Sequence, residues 1–353
     1  VTTPLLRILA GPLALAATLI APAAQAQSVS LEREFDKTFG TKLRAPREVP
    51  PSVQASVRPF VYTAPTTPRV LNGSLESQLM ALADAGQGRI GVAAIDLASG
   101  RTMAVLGDQP FPMASTSKIA IVATFLDGVD KGRYKLDDQY PIMVPLRSAK
   151  FSSARAPVRA GQSFSARHLI ERTLIYSDNQ TTDALLAVVG GPSAVNRWMR
   201  DNGVTGMRID RDIATLVRDD GEHNPATTID PRDSATPLAM AQFLAGLHQG
   251  RWLSDSSRRF LLATMERCAT GKNRIPGQMP ADVRIAHKTG TLSNTSSDVG
   301  IIQSPDGRAI AVAIYVTGQG SKPARYGRIA MIARAIYDGY RTESSSYLRS
   351  ASR

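Results

Sequence analysis

Two side chains three positions apart, Ser115 and Lys118, carry the clearest chemical content of this sequence. A serine hydroxyl is a poor nucleophile at neutral pH and needs a neighbour that takes its proton. Residues i and i+3 share one face of a helix, and the apolar pattern at Ile119, Ile121, Val122, Phe125, Leu126 and Val129 predicts a helix that begins here. The positive end of that helix favours an alkoxide at Ser115 and a neutral amine at Lys118. Alone, the run Ser115-Thr116-Ser117-Lys118 is also what a helix N-cap followed by a surface lysine looks like. Two later runs weigh against that bland reading: Ser177-Asp178-Asn179 and Lys288-Thr289-Gly290. Singly, Ser177 and Asn179 read as turn and cap formers, and Lys288 as an exposed strand lysine.

Together and in this order, Ser-x-x-Lys, Ser-Asp-Asn and Lys-Thr-Gly are the signature of the serine penicillin-recognising enzymes. The sequence resembles the class A β-lactamases among them, from about Leu71 to Tyr340. Arg89 to Leu97 resembles the family's first hairpin strand, and Phe111-Pro112-Met113-Ala114-Ser115 its approach to the nucleophile. Asp230-Pro231-Arg232-Asp233 followed by Thr236-Pro237 resembles the exit from its Ω-shaped active-site loop, and His287 to Thr291 its third motif strand.

The resemblance implies an α/β (α+β) fold: an antiparallel sheet flanked by helices, an inserted all-helical domain, and an active site in the cleft between them. It also implies roles. Ser115 attacks the lactam carbonyl, and Lys118 takes its proton directly or helps a water-linked base to do so. Ser177 relays a proton to the departing nitrogen. Lys288, Thr289 and Thr291 hold the substrate carboxylate along the strand that contains Gly290, and Asn179 contacts the substrate side-chain amide and Lys118. The backbone N–H groups of Ser115 and Thr291 form an oxyanion hole, worth about 3 kcal/mol per donor.

The step that releases the acyl group is where the sequence departs from the family, which carries a loop glutamate four residues before an asparagine. No such pair occurs here. Counting back from Asp233 without a gap makes Arg218 and Asp233 the anchoring ion pair, Asp220 the base and Asn224 the asparagine. A rival register on Arg208-Ile209-Asp210-Arg211 puts Ile213 at the base position and removes the base. The ungapped register is preferred because it keeps Asn224; Glu222 is a third candidate, otherwise a solvated loop charge. Aspartate reaches roughly 1–1.5 Å less far than glutamate, and a misplacement of ~1 Å costs on the order of 100-fold in rate. A second departure is Ser297-Asp298-Val299 before Gly300-Ile301-Ile302, where many class A enzymes carry an arginine that helps bind the carboxylate.

Composition bounds the rest. The chain has 353 residues, 43% hydrophobic and 20% charged, enough for one large domain or two smaller ones. Cys268 is the one cysteine, so no intramolecular disulfide forms, and the thiol reads as a small buried hydrophobe. The four histidines are scattered without a metal-ligand spacing, so neither metal nor cofactor is expected. The net charge of +12 favours anionic partners, yet no basic run with interleaved aromatics points to nucleic acid. Gly86-x-Gly88-x-x-Gly91 matches a dinucleotide fingerprint but enters a strand, the reverse of what pyrophosphate binding needs.

Arg7, the apolar run Ile8 to Ile20 and Ala24-Gln25-Ala26 predict a secretory signal over 1–26. The run is shorter than the ~20 residues that span a bilayer, so the expectation is a secreted, periplasmic monomer without stable membrane insertion. Residues 27–70 hold six prolines between 46 and 68 and read as an arm or linker. The catalytic domain is expected over 71–342, its α/β part from 71–112 and 258–342 and its helical part from 113–257, with a tail at 343–353. Helices are predicted over 75–85, 167–176, 182–189 and about 326–340, and strands over 90–97, 102–106, 283–288, 299–303 and 310–316.

The expected activity is hydrolysis of β-lactam antibiotics through a serine acyl-enzyme, the substrate being a β-lactam or a peptidoglycan stem peptide. A penicillin-binding D-alanyl-D-alanine peptidase or acyl esterase with slow deacylation is the alternative. A non-hydrolysing lactam or cell-wall binding module is the second.

Overall fold

The computed structural model describes Phe60–Val61 and Ser74–Ala351, with side chains over 75–341. The signal reading at 1–26 and all of the 27–70 arm except Phe60–Val61 fall outside the described residues. Phe60–Val61 is a two-residue strand, β1.

One antiparallel sheet of five strands forms the frame. The N-terminal part supplies β2 (Ile90–Asp96) and β3 (Thr102–Val105), and the C-terminal part β9 (Arg284–Leu292), β10 (Thr295–Gln303) and β11 (Ala309–Thr317), in the order β3-β2-β11-β10-β9. Every residue of β11 is buried, as in a strand covered on both faces. Helix α1 (Ser74–Leu82) and the terminal helix cover one face: Leu75, Leu79, Ile332, Ile336 and Tyr337 pack on Val92, Val312 and Ile314. The opposite face lies under a helix of residues Pro237–His248. In the dinucleotide-like run, a Cβ on Gly88 would lie 2.4 Å from the Thr317 carbonyl oxygen, and one on Gly91 2.4 Å from the Phe111 ring. Those glycines serve close packing.

Between the two halves of the sheet come β4 (Phe111–Pro112), a 3₁₀ turn (Ala114–Ser117) and α2 (Lys118–Asp130). Helix α2 is buried from Lys118 to Gly128, as its nearly all-apolar circumference requires. Around it pack α3 (Ala166–Ile175), α4 (Asn179–Val189), α5 (Gly191–Asp201) and a later helix at Asp255–Glu266. The Ω-loop region contains α6 (Ile213–Arg218), β7 (Thr228–Ile229) and β8 (Ser234–Ala235). Strand β1 pairs with β7, and β4 with β8. Then follow α7 (Pro237–His248), α8 (Asp255–Glu266) and α9 (Lys322–Ala351).

Two expectations need correction. The inserted part is not all helical, because β5 (Gln139–Pro145) and β6 (Val158–Ser165) form a hairpin within it. Two prolines interrupt β5, the register shifts between Pro141 and Met143, and no residue of β6 is buried, so no core-facing strand pattern stands out. The terminal helix does not end near Tyr340 but runs to Ala351, through the predicted tail, since residues 341–351 contain no glycine or proline to stop it.

Candidate active site

The nucleophile sits on a tight corner. Strand β4 ends at Pro112, Ala114 takes a left-handed φ of +49°, and the 3₁₀ turn carries Ser115 into α2. Strain of this kind collects where a side chain must be held in one place. The Thr116 hydroxyl donates to the Met113 carbonyl at 2.8 Å, and the Ser117 hydroxyl to that of Ala114 at 2.8 Å. Neither the turn nor α2 starts with a side-chain cap bond, so the N-cap reading of the first motif does not hold.

Lys118 is fully buried, and its ammonium is ringed by the second motif. Nζ lies 2.6 Å from the Ser177 carbonyl, 2.7 Å from Asn179 Oδ1, 3.3 Å from the Asp178 carbonyl and 3.4 Å from Ser177 Oγ. Ser177 has a left-handed φ of +60°, and the Asp178 side chain caps α4 by accepting from the Thr181 N–H at 3.0 Å. This cap turns Asn179 back towards Lys118.

The third motif closes on the same spot. Lys288, buried on β9, donates to Ser177 Oγ at 2.8 Å and to the Thr289 carbonyl at 3.0 Å. Ser177 Oγ therefore lies between two lysines. Gly290 makes the approach possible: a Cβ there would sit 2.7 Å from the Met113 carbonyl oxygen and 2.4 Å from Ser297 Oγ. Gly290→Ala is expected to push β9 off the Ser115 turn and to lower acylation by penicillin at least 10-fold, as a ~1 Å misplacement would; stopped-flow acylation rates check this.

Burial holds the Lys118 pKa well below the usual lysine value, with the neighbouring Lys288 charge adding to the effect and Asp183 and Asp178 opposing it. Burial likewise pushes Lys288 down to about 8, against the pull of Cys268 and Asp298. A neutral amine at Lys118 can accept the Ser115 proton, while an ammonium at Lys288 remains available for an anion. On β9 itself, His287 Nδ1 lies 2.9 and 3.0 Å from the two oxygens of Asp298 on β10. Burial alone would lower its pKa, but Asp298 and Cys268 together outweigh burial and lift it to about 10.

A family model described as the β-lactamase enzyme family matches residues 74–340. The chain belongs to the β-lactamase enzyme family. It is 32% identical over 270 residues to β-lactamase CTX-M-25 of Escherichia coli, covering 75% of this chain and 89% of the relative. A β-lactamase of Proteus vulgaris is 31% identical over 256 residues, covering 72% and 91%. Among solved structures, a β-lactamase from Chitinophaga pinensis superposes with a TM-score of 0.67 at 29% identity, covering 76% of this chain and all of that one. The class A β-lactamase of the last common ancestor of Gram-negative bacteria gives 0.65 at 34% identity, covering 76% and 100%. The chain is a serine hydrolase, a β-lactamase of the class A type.

Within this β-lactamase the loop register differs from the preferred expectation. Arg218 does not reach Asp233; it chelates Asp219 at 2.7 and 2.8 Å and donates to the carbonyls of Ser152 and Ala154. The partner of Asp233 is Arg211, whose Nε lies 2.6 Å from one carboxylate oxygen, while the N–H groups of Asp210 and Arg211 donate to the other at 2.7 and 3.0 Å. The Arg211–Asp233 pair agrees with the rival register, in which Ile213 stands at the base position. Asp220, expected as the base, accepts the Ser293 N–H at 2.8 Å at the tip of the β9–β10 turn. Asn224 is exposed and accepts from Asn294 at 2.8 Å, and Glu222 is paired with Arg232 at 2.7 Å. Glu222, His223 and Asp230 come close enough to share a cation, but Arg232 already holds both carboxylates, so a resident metal fits poorly. Arg211→Ala would leave the buried Asp233 unpaired, at a cost of about 3–5 kcal/mol that urea unfolding would read.

One residue had no sequence signal. Arg274, 4% exposed, donates to the carbonyls of Gly290 at 2.8 Å and Ser297 at 2.7 Å, and to Thr291 Oγ1 at 2.6 Å. Its turn is tied down by the Ile275 N–H, which donates to Asp298 at 3.1 Å. The segment that lacks the family's usual arginine thus holds another one, brought from a different element to the same strand edge.

Proposed function

We propose that this protein opens β-lactams by acylating Ser115 and then releases the product by hydrolysis. The observation that carries the reading is Ser177 Oγ held between Lys288 and Lys118, the latter directly following the turn that bears Ser115. Lys118 accepts the Ser115 proton as Oγ bonds to the lactam carbonyl carbon. The N–H groups of Ser115 and Thr291 face the oxyanion that forms. As the C–N bond breaks, Ser177 passes a proton to the nitrogen and is resupplied from the lysines. Lys288, Thr289, Thr291 and Arg274 hold the carboxylate of the substrate, and Asn179 the amide of its side chain.

Ile213 favours a second reading, in which the acyl-enzyme is long-lived, as in a penicillin-binding peptidase or acyl esterase. Intact mass after mixing with benzylpenicillin separates the two. Rapid return to the free mass with loss of lactam absorbance supports the first, and a persistent adduct the second. No adduct and no turnover would overturn both.

The pH dependence follows from Lys288. Its pKa of about 8 in the free protein means that its positive charge is complete near pH 6 and is lost as pH rises through 8. KM for a penicillin is expected to rise and kcat/KM to fall above pH 8. In Lys288→Arg, which keeps its charge, that alkaline limb should move beyond pH 10 even where the overall rate is lower. Secretion to the periplasm belongs to the same proposal and rests on Arg7, the apolar run Ile8 to Ile20 and Ala24-Gln25-Ala26; fractionation of expressing cells tests it.

A further inference from the structure

Asn179 also stands on the wall of a second cavity, whose apolar lining comes from Met143 and Leu146 at the end of β5 and from Ile213 and Val217 on α6. Leu146 and Val217 are 45% and 48% exposed, an open apolar surface beside a residue proposed to hold the substrate's side-chain amide. Four charged groups complete that wall besides the hydrophobic ones: Arg147, Lys150, Arg218 and Asp183. Arg218 is already committed to Asp219 and to two carbonyls. Asp183 is buried, and its two oxygens accept the N–H groups of Ile213 at 2.7 Å and Ala214 at 2.8 Å. Burial also raises its pKa to about 7, so much of its negative charge is absent at neutral pH. Arg147 and Lys150 are exposed and form no ion pair among the described residues. The cavity therefore offers an apolar floor and two uncommitted cations.

Resting on the acyl-transfer reading above, we infer that this cavity selects substrates whose acyl side chain carries a second anionic group, held by Arg147 and Lys150. A side chain whose amide lies on Asn179 runs on into the cavity. An aryl group there covers Leu146 and Val217, and a carboxylate on the same side chain comes within the field of the two cations. Both cations are water-exposed on the 146–157 connection, so each contributes modestly and their attraction is screened by salt. Selectivity is a difference between two substrates, and the shared ring carboxylate cancels in that comparison.

The test compares benzylpenicillin with carboxybenzylpenicillin, which differ by one side-chain carboxylate, as the ratio of their second-order acylation rates. In the double variant Arg147→Gln/Lys150→Gln the ratio is expected to fall 3- to 10-fold against benzylpenicillin, and in the parent it should fall as NaCl is raised from 20 to 500 mM. Arg147→Lys/Lys150→Arg, which keeps both charges, should preserve it. A ratio unchanged in the double variant, or equal losses for the two penicillins, would overturn the inference while leaving acyl transfer intact. A parent that reacts with neither penicillin would overturn the acyl-transfer reading and this inference with it.

Discussion

In Ser115→Ala, turnover of any β-lactam should drop by on the order of 10⁵–10⁶-fold and the covalent adduct should vanish, because a nucleophile and its base act as a unit and removing either removes the covalent route. The substitution deletes one oxygen from a half-buried residue that caps no helix. The turn keeps its own bonds through Thr116 and Ser117, so the melting temperature should stay near that of the parent. The pocket of Lys118, Ser177 and Lys288 also persists, and with it non-covalent affinity for the substrate carboxylate. The informative result is this split between lost chemistry and kept binding, read by intact mass and by ligand-induced stabilisation. Adduct formation in the variant would place the nucleophile elsewhere.

The second large effect concerns release. Ile213 sits where the loop register anchored by Arg211 and Asp233 puts the family's glutamate. Its backbone N–H is held by Asp183 at 2.7 Å, and its side chain is buried in the wall that contains Asn179. A glutamate introduced there starts from a fixed backbone. Ile213→Glu is expected to shorten the lifetime of the acyl-enzyme by about 10²–10⁴-fold, the usual contribution of a placed general base. The substitution exchanges a buried aliphatic side chain for an ionisable one, so a loss of about 2 kcal/mol in stability accompanies the gain. The readout is the decay of the penicillin adduct by mass, measured below the lowered melting temperature. An unchanged decay would mean that the release step does not depend on a base at this position. Rapid decay already in the parent would assign the water to another group.

Much of the site could be read before any fold was known, and the reason is local. Ser115 and Lys118 are one helical turn apart, Ser177 and Asn179 open α4, and Lys288 and Thr291 lie along one strand, so secondary-structure geometry settles their mutual placement within each run. The sheet strands were legible for a similar reason: β2 and β11 are apolar runs bounded by turn residues. The β5–β6 hairpin was not, because its second strand buries none of its residues and its first is interrupted by proline.

The amino-acid sequence alone singled out Ser115, Lys118, Ser177 and Lys288 as the candidates for the chemistry, and it contains no loop glutamate four residues before an asparagine. Only the tertiary structure decided what stands in its place. The loop has no period to count, and two arginines compete for one carboxylate. Burial of Asp233 with the N–H groups of Asp210 and Arg211 selects Arg211, the more distant of the two along the chain. Arg274 was decided in the same way: nothing in its neighbourhood along the chain marks it, and only the packing of its turn against Asp298 carries the guanidinium to Thr291. A run of residues encodes what its own backbone geometry can bring together, and contacts made by burial between distant segments exist only once the chain has closed on itself.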